Sequence, residues 1–129
     1  MPNAATLAGM AFSQSGLGIN HAIAHQLGGQ FHLPHGLANA LLLTAVIQFN
    51  AKDKRAARRY ARLAKACHFC SAEATEPVAV NALVRQIEQL KKQCHVPSFS
   101  SALKTTAQRF RERIPVMVEA ALADVTTKT

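Results

Sequence analysis

The sequence has no tryptophan, one tyrosine and only seven acidic residues among its 129 residues. Aromatic residues make up 5% of the chain, which disfavours a sheet-rich fold because strands are enriched in aromatic and β-branched side chains. Alanine, by contrast, is the commonest residue, and alanine has the highest helix propensity. We therefore expect an all-α chain with a length typical of one domain.

Patterns for export, membrane insertion and disulfide formation are also missing. Neither Lys nor Arg precedes the first apolar stretch, as a secretory signal would require. The most apolar window, residues 37–47, is about half of the roughly 20 residues that a transmembrane helix needs. Three cysteines are an odd number and too few for a disulfide-stabilised domain, so we expect no disulfides. We expect a cytoplasmic protein with no membrane span.

Apolar spacing predicts a long first helix over residues 4–26, weakened in its middle by Gly16 and Gly18. Gly28-Gly29 is expected to stop this helix. After a loop at residues 30–35, a second helix over residues 37–49 is apolar on nearly all sides, which is typical of an interior helix.

Capping signals predict the remaining helices. Asp53 is expected to cap a third helix that runs to about residue 67, and Pro77 is expected to open a fourth that runs to about residue 93. A short helix is expected near Ala102. Ile114-Pro115 is expected to begin a last helix that ends near residue 124.

The histidines are concentrated around the Gly-Gly pair. His21 and His25 are four residues apart, so both imidazoles project from one helix face. His35 follows the predicted break, where the chain can fold back, whereas His32 in the same turn is expected to point outwards. Converging neutral imidazoles bind first-row transition metals, but the spacing alone leaves open whether these are simply packed or surface histidines.

Two segments around these histidines resemble the signature of the iron-containing (group III) alcohol dehydrogenases. Residues 18–29 read GINHAIAHQLGG and residues 33–40 read LPHGLANA. The resemblance is dense from about residue 7 to residue 50 and thinner beyond. It implies that residues 1–129 are one helical, bundle-like C-terminal domain of the dehydroquinate synthase-like fold. In the family, a nucleotide-binding domain precedes this domain, and we expect that domain to be missing here.

The resemblance also implies roles for three histidines. His21 and His35 match two of the family's metal ligands, which bind Fe²⁺ or Zn²⁺ together with an Asp and another His expected upstream of this chain. His25 matches the histidine beside the nicotinamide and the substrate, where it orients them or relays a proton. NAD or NADP is the implied cofactor, and the intact enzyme is expected to be a homo-oligomer.

Within the family, the sequence is most similar to the ethanolamine-utilisation branch, whose members reduce acetaldehyde to ethanol, with propanediol dehydrogenases close behind. This similarity implies a small alcohol or aldehyde substrate and an association with bacterial microcompartments. Because the two histidines are only half of the family's metal ligands, we expect this chain alone to bind metal weakly and to oxidise no alcohol.

An alternative function follows from the net charge of +8. Arg55, Arg58, Arg59 and Arg62 lie at helical spacing on one face of the third predicted helix. A truncated basic interaction module without catalytic activity could use this face to bind a partner chain or nucleic acid. The opposite face is apolar, as in an ordinary surface helix, and this favours a solvated face, so nucleic acid is not the expected partner.

Two further motifs resemble known sites incompletely. Cys67 and Cys70 form a C-x-x-C pair that Cys94-His95 could complete as a zinc site, but the second half lacks the two-residue gap. Thiols packed at helix ends are the favoured interpretation. Gly16-x-Gly18 lacks the preceding strand and the third glycine of a dinucleotide fingerprint.

Overall fold

The computed structural model describes residues 2–128, and no β-strand is present among them. The helices are α1 (Pro2–Ser15), α2 (Ile19–Phe31), α3 (His35–Asn50), α4 (Lys54–Ala66), α5 (Glu76–Gln93), α6 (Phe99–Leu103) and α7 (Ala107–Ala123), and a 3₁₀ turn (Val125–Lys128) follows. The predicted all-α fold is confirmed. None of these helices is long and apolar enough to cross a membrane.

The prediction of one helix over residues 4–26 is wrong, because a non-helical segment separates α1 from α2. Gly16 and Gly18 have φ angles of 79° and 72°. These angles lie in the left-handed region, which a right-handed helix cannot include and which glycine enters without steric cost. The two glycines therefore separate two helices, with Gly18 at the N-cap of α2.

The prediction that Gly28-Gly29 stops the helix is also wrong, since both glycines lie inside α2. The helix ends at Phe31, five residues later than expected. His32 is its C-cap, with a left-handed φ of 54° and an N–H that donates to the Gly28 carbonyl at 2.9 Å. Glycine lowers helix stability by only about 1 kcal/mol. The Phe31 ring, in the last turn of α2, packs against the Phe110 ring of α7 with centres 5.6 Å apart, and this contact favours continuation of α2 past the glycines.

The local capping predictions for α4 and α5 are confirmed. Asp53 caps α4 and accepts hydrogen bonds from the backbone N–H groups of Arg55 and Ala56. Pro77 lies in the first turn of α5, where its missing N–H costs no helical hydrogen bond.

The start predicted for the last helix is wrong. Helix α7 begins at Ala107, and Pro115 lies inside it. The Thr106 hydroxyl accepts a hydrogen bond from the Arg109 N–H at 3.2 Å and so caps the true N-terminus. Burial of Met117 and Ala121 stabilises the helix beyond the proline.

Packing divides the chain into two compact units, with one boundary inside α3 and the other just before α6. The first, here called the histidine unit, consists of the chain up to Asn39 and the chain from Phe99 onward. Helix α2 packs against α7 and against the 3₁₀ turn in this unit. The chain from Phe99 onward therefore returns to the helix that carries His21 and His25.

The second unit, Ala40–Ser98, is built around the pair of helices α4 and α5. Its core includes Ala64 and Ala79, both fully buried, and small side chains let two helices approach closely. Residues 40–50 of α3 belong to this unit, and Ile47 joins the core. The expectation of an interior helix is only partly met, because Leu43 and Phe49 are 37% and 59% exposed.

Candidate metal centre

Helix α2 and the start of α3 bring three histidines together in the histidine unit. The ring centres of His21 and His35 are 5.3 Å apart, and those of His25 and His35 are 5.5 Å apart. His21 and His25 are one helical turn apart, with ring centres 6.4 Å from each other. The three histidines selected from the sequence therefore form one cluster.

The chain reversal that brings His35 back lies at residues 32–34, and not at Gly28-Gly29 as expected. The left-handed conformation of His32 ends α2, and the Pro34 carbonyl accepts the Ala38 N–H at 2.9 Å in the first turn of α3. Proline disfavours the helical conformation in the residue before it. The two features together place His35 at the first position of α3.

His21 occupies the most desolvated position of the cluster. Its Nδ1 atom is buried and has no hydrogen-bond partner. Burial lowers the pKa of His21 from its ordinary value, and the nearby His35 and His25 lower it further. The neutral imidazole that results is the form that binds metal ions, because it keeps a free nitrogen lone pair.

His35 is held by an asparagine pair that the sequence analysis missed. The Asn39 Nδ2 group lies 3.2 Å from His35 Nε2 and also donates to the His35 carbonyl at 3.0 Å. Asn20 Nδ2 donates to Asn39 Oδ1 at 2.7 Å and thus links α2 to α3. Both asparagines lie within the two segments that carry the family resemblance. Their position in these segments was the one sequence signal that could have pointed to them.

His25 is paired with an acidic residue that lies 99 positions later in the chain. Its Nδ1 atom is 2.8 Å from Asp124 Oδ2. The Asp124 side chain is 14% exposed and that of His25 is 38% exposed. The sequence analysis gave Asp124 no role, and no local pattern could have joined two residues so far apart in the sequence.

The donor set fits part of a transition-metal site. His21 and His35 offer imidazole nitrogens, which suit both iron and zinc, and the unpartnered Nδ1 of His21 leaves one such nitrogen available. Within residues 2–128, however, no group of three or more histidine, cysteine or carboxylate side chains is placed to bind one ion. The described residues therefore supply an incomplete ligand set.

The structure does not bring the other motifs to this cluster. His32 is exposed at the end of α2. Cys67 and Cys94 occupy the C-caps of two successive helices, α4 and α5, and both are exposed free thiols. The four arginines of α4 are exposed, as expected for a solvated helix face.

The whole chain, residues 1–129, matches the model of the Fe-containing alcohol dehydrogenase family, C-terminal. The 1-propanol dehydrogenase PduQ of Citrobacter freundii is 72% identical over 129 residues, which are 100% of this chain and 35% of that protein. The probable alcohol dehydrogenase EutG of Escherichia coli (strain K12) is 38% identical over 112 residues, or 86% of this chain and 28% of that protein.

A similar fold is found in a solved structure of 1,3-propanediol oxidoreductase, with a TM-score of 0.83 and 32% sequence identity. The match covers 95% of this chain and 31% of that one. The chain thus spans about a third of the length of the proteins that it matches. By its sequence and its fold, the chain belongs to the Fe-containing alcohol dehydrogenase family and corresponds to the family's C-terminal part.

Proposed function

We propose that residues 1–129 act as the metal-binding helical domain of an NAD(P)-dependent alcohol dehydrogenase. The enzyme interconverts a small primary alcohol and its aldehyde, and the intact form is a homo-oligomer. The observation that carries this proposal is the 5.3 Å approach of the His21 and His35 rings, in a chain that matches the family over its whole length.

In this proposal His21 and His35 hold Fe²⁺ or Zn²⁺ through ring nitrogens. A bound divalent ion polarises the alcohol oxygen and lowers its pKa, which favours hydride transfer to the nicotinamide. Burial lowers the pKa of His21 and so favours its neutral imidazole. The asparagine pair restrains the ring of His35, so less conformational entropy is lost when a ligand binds there.

His25 is proposed to lie beside the nicotinamide ring of NAD or NADP and the substrate. His25 is the more exposed partner of the His25–Asp124 pair. This exposure allows its ring to contact a second molecule. A neutral imidazole can accept a proton at one nitrogen while it donates from the other. We therefore assign it orientation of the substrate or transfer of the alcohol proton.

For the substrate we favour 1-propanol and its aldehyde. The relative named as a 1-propanol dehydrogenase is 72% identical, whereas EutG is 38% identical. The names of these relatives support a three-carbon alcohol more than they support ethanol and the ethanolamine-utilisation branch.

Weak metal binding and no alcohol oxidation remain the expected behaviour of these 129 residues alone. Two imidazoles supply half of a four-coordinate shell, and no third side chain joins them among the described residues. Ligands from outside this chain would have to complete the site.

Metal retention in histidine variants tests the proposal. The 129-residue chain is dialysed to equilibrium against buffer that holds a fixed concentration of free Zn²⁺, and the zinc retained by the protein is measured by elemental analysis. His21→Ala or His35→Ala should each reduce retained zinc at least tenfold, because a single imidazole holds the ion much less tightly than a converging pair.

His68→Gly is the matched control, since His68 is exposed in the second unit and glycine suits its φ of 56°. This variant should retain as much zinc as the unmodified chain. Equal retention in all three variants would contradict the proposal and would favour the alternative of a basic interaction module.

A further inference from the structure

We propose that Asp124 is a positioning residue for His25, which it holds in the Nδ1–H tautomer and in one ring orientation. The importance of this role for catalysis rests on the proposed function. The tautomer of His25 follows from the structure alone and does not depend on that function. The pair joins α2 to the segment after α7, and both partners belong to the histidine unit.

The Asp124 carboxylate is aimed by its own local hydrogen bonds. Oδ1 accepts from the Thr126 N–H at 2.9 Å and from the Thr126 hydroxyl at 2.8 Å. The other oxygen, Oδ2, is the one that lies 2.8 Å from His25 Nδ1. The two oxygens therefore have separate partners. The hydrogen bonds from Thr126 orient the carboxylate independently of its contact with His25.

The carboxylate is also ionised throughout the physiological pH range. Hydrogen bonds from His25 and from Thr126 lower the pKa of Asp124 from 3.8 to about 2. An ionised carboxylate only accepts hydrogen bonds. The atom that faces it must then be a donor, so a neutral His25 carries its proton on Nδ1.

This arrangement has a direct chemical consequence at the other nitrogen. When Nδ1 carries the proton, Nε2 has the free lone pair and becomes the proton acceptor of the ring. A carboxylate behind a histidine fixes the tautomer and the ring orientation in the same way in catalytic triads. In the proposed enzyme, Asp124 would thus present His25 Nε2 to the substrate or cofactor.

The tautomer can be read directly in the metal-free chain by two-bond ¹H–¹⁵N correlation spectra of its imidazoles. Spectra are recorded at about pH 9, where ordinary imidazoles are neutral, and His25→Gln assigns the His25 signals. We expect His25 to be predominantly the Nδ1–H form. The exposed His32, His68 and His95 provide references for solvent-exposed rings in the same spectrum.

Asp124→Ala should abolish this preference and make His25 resemble the exposed histidines. Thr127→Val is the matched control, because it removes the hydroxyl donor to the Ala121 carbonyl but keeps the carboxylate. This control should leave the tautomer unchanged. A contact that only packs the chain end against α2 would alter the melting temperature without setting the tautomer.

The proposal is overturned if His25 in the unmodified chain has the tautomer mixture of the exposed histidines, a result that requires no variant to fold. An unchanged tautomer in Asp124→Ala would also overturn it. Because these spectra contain no metal, their outcome is independent of zinc retention, and failure of one proposal is distinguishable from failure of the other.

Discussion

At the scale of single residues, the six histidines adopt two kinds of backbone conformation. His21, His25 and His35 lie within helices and converge on one another. The other three, His32, His68 and His95, all have positive φ angles of 53–56° at the ends of helices. The helical spacing of His21 and His25 could be predicted from the sequence. The left-handed conformations could not, because glycine or asparagine usually occupies such positions.

Asp124 gives rise to a pH-dependent contribution to stability. Its pKa falls from 3.8 to about 2 on folding, so the folded state favours the ionised carboxylate. The contribution is therefore fully present above about pH 5 and is lost as the pH falls through about 2.

Urea unfolding of the unmodified chain and of Asp124→Asn tests this expectation between about pH 6 and pH 2. The unmodified chain should be the more stable one at the upper end, and the difference should shrink on acidification. Thr127→Val, which removes a hydroxyl but no titratable group, is the control and should show no such convergence. A difference for Asp124→Asn that does not vary with pH would contradict the lowered pKa.

At the scale of helices, predictions succeeded where a local interaction decides the outcome. Asp53 and Pro77 act within their own first turns, and both helix starts were predicted correctly. Gly28-Gly29 and Pro115 are local signals too, but they are overridden by tertiary packing. The Phe31 ring packs against Phe110 beyond the glycines, and Met117 and Ala121 are buried beyond the proline. Propensity differences of about 1 kcal/mol for glycine cannot decide such cases, because tertiary packing contributes more.

The N-cap of α4 should contribute measurably to stability. Asp53→Ala removes the acceptor of two backbone N–H groups, and we expect it to cost about 1 kcal/mol in the free energy of unfolding. Thr75 caps α5 without a side-chain hydrogen bond, so Thr75→Ala should cost clearly less.

Denaturant unfolding followed by circular dichroism compares the two cap variants in the same helix pair. Equal losses of stability for Asp53→Ala and Thr75→Ala would show that the Asp53 carboxylate does not stabilise α4 as its contacts indicate.

At the scale of the whole chain, the site combines residues that are close in the sequence with others that are not. The segments at residues 18–29 and 33–40 carry the family resemblance, and they contain all three clustered histidines together with Asn20 and Asn39. Asp124 reaches His25 only because the chain from Phe99 onward packs against α2 within the histidine unit. The sequence could therefore predict the cluster, whereas the residue that orients His25 required the tertiary structure.

In the proposed domain, His21 and His35 bind the metal ion and His25 does not. X-ray absorption spectra of the zinc-loaded chain count imidazole ligands directly, because each gives a Zn–N distance of about 2.0–2.1 Å with characteristic outer-shell scattering. We predict two imidazoles in the unmodified chain and in His25→Ala, and one in His21→Ala or His35→Ala. A spectrum that loses an imidazole in His25→Ala, or that is unchanged in His21→Ala and His35→Ala, would contradict the account.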